Sequence, residues 1–348
     1  MAYSSIVKPS VYFNTKLYTG NGGTQSITGV GFQPDWCWIK NRETATGHRV
    51  IDAVRGNTKT IYTNATQAEE TVTNMLTSFD SDGFSIGSDG GTNGNGNDIA
   101  SWNWKANGAG SANTDGSINS TVSVNQTAGF SIVSWTGTGA NATIGHGLGS
   151  VPKMILLKCR TQGDKWIVYH NSIGNTKYLV LNDADAETTG STHWNNTSPT
   201  SSVFYTGTSG NVSGTGEDFI AYCFADVQGY SKFGSYIGNG NADGPFVYTG
   251  FKPAFVLTKY ATSTSGWWQI LDNKRDVYNP NSHALFANVN DSEYNLSNYH
   301  TDYLSNGFKL RNTEAGGNTS GGTYIYMAFA EEPLVANSGS NGVPATAK

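Results

Sequence analysis

Gly83-Phe84-Ser85-Ile86-Gly87 has the G-x-S-x-G spacing of hydrolytic serines. That motif works where a sharp strand-to-helix turn lifts the serine hydroxyl above a sheet. Here Asp82-Gly83 is a hairpin dipeptide and a Gly-rich segment follows, so no helix is expected to carry the serine. A matching stretch, Gly307-Phe308-Lys309-Leu310, has lysine in its place. Asp80-Ser81-Asp82-Gly83 opens like a calcium loop, but the later acidic ligands of such a loop are absent. Its counterpart Leu304-Ser305-Asn306-Gly307 keeps only the turn pair, so a turn is the reading and a lone surface calcium the alternative. Asp52-Ala53-Val54-Arg55 and Asp272-Asn273-Lys274-Arg275 share an Asp-x-x-Arg spacing, which we read as an ion pair shaping a turn. The six histidines, at positions 48, 146, 170, 193, 283 and 300, form no H-E-x-x-H or other paired metal spacing, and no phosphate-binding or dinucleotide fingerprint occurs. No catalytic residue, metal or cofactor is expected.

Aromatic rings are the remaining chemistry. Trp36, Trp102, Trp166 and Trp268 stand at matching positions of internal repeats and are expected in the core. Trp194, in Thr192-His193-Trp194-Asn195-Asn196, and Trp267, an extra indole beside Trp268, occur once. Tyr294, Tyr299 and Tyr303 cluster in the polar stretch 291–305. Rings on polar loops stack on sugar faces while Asn, Asp and Ser bond hydroxyls, and the same mixture serves protein interfaces. These five residues are the candidate glycan- or partner-contact positions; ordinary partial burial is the competing reading.

Charged residues make up only 14% of the 348-residue chain, Gly contributes 43 residues and aromatics 12%. The surface must therefore be covered largely by Ser, Thr, Asn and Gly, a mixture that suits short strands joined by many turns. A net charge of −5 and the lack of any basic run argue against nucleic-acid binding. Cys37, Cys159 and Cys223 each lie in an apolar run and read as buried free thiols. The opening residues have no signal-peptide core and no stretch is long and apolar enough to span a membrane, so neither export by a signal nor membrane insertion is expected.

The elements that must position these residues come in threes. Tyr18-Thr19-Gly20-Asn21-Gly22, Trp135-Thr136-Gly137-Thr138-Gly139 and Tyr236-Ile237-Gly238-Asn239-Gly240 each lead to a proline, Pro34, Pro152 or Pro253, 14, 15 and 15 residues after the first Gly. A lysine, Lys40, Lys158 or Lys259, follows six residues later every time. His48, Trp166 and Trp268 then match, as do Thr58–Asn64, Thr176–Asn182 and Ser282–Asn288. Each unit closes on an aromatic strand, Ile99–Trp104, Ile220–Ala225 or Ile325–Ala330. A period of about 100 residues fits a whole small domain rather than a solenoid repeat. The expected fold is all-β: three tandem homologous β-sandwich repeats of jelly-roll or lectin-like type. The expected division is 1–118 (repeat one plus a Gly/Ser/Asn-rich linker from 106), 119–228, 229–333 and a flexible polar tail, 334–348. The apolar runs after the prolines should be inner strands, and Thr66–Leu76 and Asp183–Glu187 are the best candidates for short helices.

The opening Met1–Phe13, the strand 99–105, Ile144-Gly-His-Gly-Leu-Gly149, Val151-Pro-Lys153, Ser305-Asn-Gly-Phe-Lys309, Tyr324–Glu331 and Ser340–Lys348 resemble a group of marine bacteriophage proteins. Those proteins carry tandem copies of an uncharacterised β-rich domain and are labelled tail fibre or virion structural protein. The resemblance covers essentially the whole chain and carries no catalytic or binding residue with it. It implies a non-enzymatic virion protein, a tail fibre or tail-associated component contacting the host surface. A head decoration or capsid fibre is the alternative, and a glycan depolymerase, which needs a carboxylate pair at a cleft, a remote one. The implied partners are other tail or capsid proteins, a host surface glycan and further copies of the chain, a trimer among them.

Overall fold

The computed structural model describes residues 4–314 and 316–335. The chain is nearly all β, 44% strand and 5% helix, in antiparallel sheets of which none is closed. Three of the sheets are large. In the first, the strands run Phe13–Thr19, Asp98–Trp104, Trp36–Asn41, Arg49–Asp52, Lys59–Tyr62 and Glu70–Thr71. In the third they run Ser231–Ile237, Thr323–Pro333, Phe251–Tyr260, Trp268–Asp272, His283–Phe286 and Tyr294–Asn295. The second has Phe130–Thr136, Asp218–Phe224, Met154–Cys159, Ile167–His170, Lys177–Val180 and Thr188–Thr189 in the same relative order, extended at one edge by Ser120–Asn125 and Ser111–Asn113. The 106–118 stretch is therefore not wholly a linker: Ser111, Ala112 and Asn113 pair with Val122, Thr121 and Ser120, beyond the edge at which the other two sheets stop.

A small sheet packs on each large one, and the two together are called a unit below. Gln25–Thr28, Gly83–Ile86 and Leu76–Asp80 form the first small sheet, Ala142–Gly145 and Val203–Thr206 the second, and Phe246–Tyr248, Gly307–Leu310 and Thr301–Leu304 the third. Successive side chains of a strand point to opposite faces, which explains why Trp36–Asn41 and Met154–Cys159 are buried throughout. Cys37 and Ile39 face the small sheet, with Ile27, Phe84 and Ile86. Trp36 and Trp38 face the other way, into a core shared by all three units. There Trp36 stacks on Tyr222 at 4.5 Å, Trp104 meets Phe255 at 5.8 Å and Phe224 meets Phe329 at 6.0 Å.

Polar groups close the three units into a ring. The Lys158 ammonium donates to Cys159 O and Gln162 O of its own hairpin and across to Thr66 O of the first unit, at 2.8–3.3 Å. Lys259 does the same with Tyr260 O, Gly266 O and Ala184 O of the second unit, and Lys40 with Asn41 O, Thr44 O and Asn290 O of the third. Three carbonyls per ammonium offset the cost of burying it. Burial pulls each lysine down to about 8, still charged at neutral pH. Two residues on, Arg160 O, Ala261 O and Arg42 O accept from Glu69 N, Glu187 N and Glu293 N, each at 2.7 Å. The Trp166 and Trp268 indoles donate across to Tyr62 O and Val180 O at 2.8 Å. Asp52 accepts from Tyr222 Oη at 2.7 Å, Asp272 from Trp102 Nε1 at 3.0 Å, and His170 Nε2 lies 3.2 Å from Tyr326 O. Near the two ends of the described chain, Ser4 N donates to Val335 O at 3.2 Å.

Three details differ from the sequence reading. Thr66–Leu76 and Asp183–Glu187 are not helical; the helices are single turns at Gly90–Asn93, Ser191–Trp194 and Gly210–Ser213. The first starts where Asp89 accepts from Gly91 N and Thr92 N. Pro253 does not precede its apolar strand but lies within it, at a register shift in the pairing. The closing strands align one residue away from the match on isoleucine: Trp104, Phe224 and Phe329 hold equivalent pairing positions, opposite Phe13, Phe130 and Ser231. The expected tail from residue 336 onward lies outside the described residues.

Candidate functional site

The motif residues of the first unit are held by turns. Ser85 lies within the Gly83–Ile86 strand and not at a strand-to-helix turn, its hydroxyl bonded to Asp80 at 2.7 Å and to Ser26 at 2.9 Å. Asp82 accepts from Gly29 N and Gly31 N at 2.9 and 2.7 Å, and those N–H groups hold its carboxyl below the usual range. Gly83 and Gly307 are required for a reason beyond the turn. A Cβ would stand 1.9 Å from Ile27 O in one case and 2.1 Å from Val247 O in the other, so the neighbouring strand could not pair. Asp52–Arg55 and Asp272–Arg275 are fully buried ion pairs at 2.5 and 2.6 Å whose carboxylates also accept the turn's backbone N–H groups. Among the described residues no group of three or more His, Cys, Asp and Glu is placed to hold a metal ion. The three cysteines are free and buried.

The five single-copy aromatics separate. Trp194 is 2% exposed and packs edge-on to Tyr169 in the second unit's core. Tyr303 is 3% exposed and donates to Leu271 O at 2.9 Å. Both rings are interior because their strand and helical turn face the large sheet, and neither lines the aromatic cleft described below. The other three converge. Trp268 points into the shared core, so the preceding residue, Trp267, turns to the opposite side and stands edge-on to Phe286 at 4.7 Å. Tyr294, paired with Ala284 across the sheet edge, lies 5.7 Å from Phe286, and Tyr299, on a 3-10 turn, 5.2 Å from it. Tyr299 presses on Gly316, where a Cβ would come within 2.8 Å of the ring.

Between these rings and a polar loop lies a cleft of about 200 Å³ lined by Ser265, Trp267, Phe286, Asn298, Tyr299, Glu314 and Gly316. Its floor is aromatic, its rim offers an amide, a hydroxyl and one carboxylate, and no cation lines it. Tyr294 Oη donates to Asp291 at 2.8 Å, and that carboxylate raises the phenol above its ordinary range. The basic groups nearby are engaged: Glu293 is gripped by Arg42 and Arg275 at 2.6 and 2.9 Å, and holds its own carboxyl low as a result. A larger hollow of about 450 Å³ lies around Lys232 and Tyr248, with Lys232 bonded to Asp226 and Ser231 to Ala225 O.

Sequence reasoning missed Phe286, Ser265, Asn298 and Glu314. Phe286 holds the place of Tyr62 and Val180 in the other units, a position whose outward direction follows once the strands are paired. The three rim residues come from polar loops and carry no periodic signal. Other apolar side chains gather on the same unit: Ile237, Phe246, Tyr248, Val277, Tyr278 and Leu296 are 44–79% exposed, against Val7 and Val151 alone elsewhere among the described residues.

The fold and cleft define an antiparallel, three-unit β protein that carries an aromatic surface cleft on its third unit. Residues 8–333 match the model of the family described as a domain of unknown function, DUF7483, and the chain belongs to that family. One match thus runs across all three large sheets. No curated protein matches the chain.

Proposed function

We propose that the protein is a non-catalytic structural component of a bacteriophage particle, tail-associated, that contacts the host surface through its third unit. The observation that carries this is the asymmetry of the surface. Six large apolar side chains are exposed on the third unit, which also carries the aromatic cleft, while only Val7 and Val151 are comparably exposed elsewhere among the described residues. An excess of exposed large apolar groups on one part of a molecule points to a contact surface. The resemblance of the whole chain to marine phage tail-fibre and virion proteins supports the setting. We read the three units as tandem copies of one jelly-roll-like sandwich, since the six shared strands keep one relative order. Glu314 alone among the cleft residues has a carboxyl group, which supports binding rather than glycoside cleavage by a carboxylate pair.

Purified protein at saturation is expected to compete with phage for adsorption to host cells; undiminished adsorption would sink the tail reading. The threefold arrangement of units favours a second reading, a decoration or fibre docked on a threefold position of the capsid. Gold-labelled antibody on intact particles separates the two, since label over the head supports decoration and label at the tail supports host contact.

A further inference from the structure

The cleft of the third unit, we propose, is a binding site for one neutral sugar ring at the end or within a surface glycan, with Trp267 as its stacking platform. This deepens the host-contact reading and rests on it. A volume of about 200 Å³ is below the roughly 300–1,000 Å³ of ordinary ligand pockets, so it suits a single ring rather than a cofactor. Trp267, Phe286 and Tyr299 provide apolar and π surface, and the electron-rich face of an indole attracts the weakly positive C–H face of a pyranose. Asn298, Ser265 and Glu314 place amide, hydroxyl and carboxylate groups at the rim, where they reach equatorial hydroxyls. The only charge lining the cleft is negative, and Asp291 lies just beyond it at Tyr294, which disfavours sialylated, sulfated or phosphorylated sugars. The shared framework does not require the platform: the residues preceding His48 and Trp166, at the place of Trp267, are Gly47 and Lys165.

The chain contains its own reporter. Of nine tryptophans, eight are at most 3% exposed, and Trp267 is the one that is only partly buried. Iodide, which quenches only accessible indoles, therefore reads the cleft alone. The full chain is first passed over an array of neutral and acidic oligosaccharides. The retained neutral sugars are then titrated into the protein at fixed iodide. A saturable loss of quenching is expected, together with a tenfold or larger weakening in Trp267→Ala and in the pair Asn298→Ala and Glu314→Gln. Trp267→Phe should abolish the quenchable fraction while retaining part of the affinity. Retention of no neutral sugar, retention of acidic sugars only, or binding that leaves Trp267 accessible would each overturn the proposal. If the protein blocks adsorption yet no sugar shields Trp267, the cleft assignment fails and host contact stands. If a sugar shields Trp267 but adsorption is unaffected, the sugar site stands and its role in host contact fails.

Discussion

At the scale of single residues, two tryptophans that look alike in sequence have opposite roles. Trp194 fills the second unit's core, so Trp194→Ala is expected to cost about 3–5 kcal/mol in urea unfolding. Trp267→Ala, at a half-open cleft, should cost about 1 kcal/mol or less while removing sugar binding. Equal losses would show that Trp267 is a core residue after all. The histidines make a pH prediction. His146 accepts Leu148 N on Nδ1 and has Nε2 at 3.2 Å from Thr200 O, and His170 repeats this with Ser172 N and Tyr326 O. Each ring is thus satisfied in one neutral tautomer, and burial lowers both to about 4. The folded pKa lies below the unfolded value of about 6.5, so the unfolded chain takes up protons first as pH falls. Stability should be complete above pH ~6.5 and drop by up to about 1.4 kcal/mol per pH unit for each ring between there and about 4. Urea midpoints at pH 7.5 and 5.0 check this, and His170→Gln should flatten the slope; midpoints independent of pH would refute it.

At the scale of elements, the clasps between units are unequal. Glu293 joins Arg42 of the first unit to the buried Arg275, and Glu69 likewise joins Arg160 of the second unit to Arg55. At the third junction Ala261 replaces the arginine, and the Glu187 carboxylate pairs with the more exposed Lys177. Glu293→Ala should therefore cost about 2 kcal/mol, because it takes a charged acceptor from Arg42 and from Arg275, which keeps Asp272, and Glu187→Ala under about 1 kcal/mol. Similar costs at both sites would mean that the backbone bond, common to both junctions, dominates. Much of this level was legible. Pro-to-Lys spacing located the central strand of every large sheet, and Asp-Gly and Asn-Gly located two hairpins. What the lysines do was not legible, since one of the three carbonyls that satisfy each lies more than 70 residues away. The Ser111–Asn113 strand was hidden for the opposite reason: its Ser, Ala and Asn side chains carry no apolar alternation, and an edge position asks for none.

At the scale of the whole molecule, the sequence pattern shows three similar segments but not that their inner faces are buried against one another. Alternation tells which residues are interior, not which neighbour covers them. Trp36 against Tyr222 and Trp104 against Phe255 need the other units in place. Residues 119–228 expressed alone would expose Phe130, Met154, Leu156, Tyr222 and Phe224 to water. That fragment should be insoluble or unfolded by circular dichroism, and the full chain should melt in a single transition. A soluble, cooperatively melting fragment, or three separate melts, would mean that the units are independent domains.

The Ser4–Val335 hydrogen bond has a consequence for connectivity. Two of the three junctions between units are covalent, and the third is spanned by this contact, so the order in which the units are joined is not dictated by the packing. Linking 335 to 4 and opening the chain between 226 and 229 would give a circular permutant with the same three faces in the same places. Its new ends would lie beside the third unit's exposed Tyr248, on the surface proposed to meet the host.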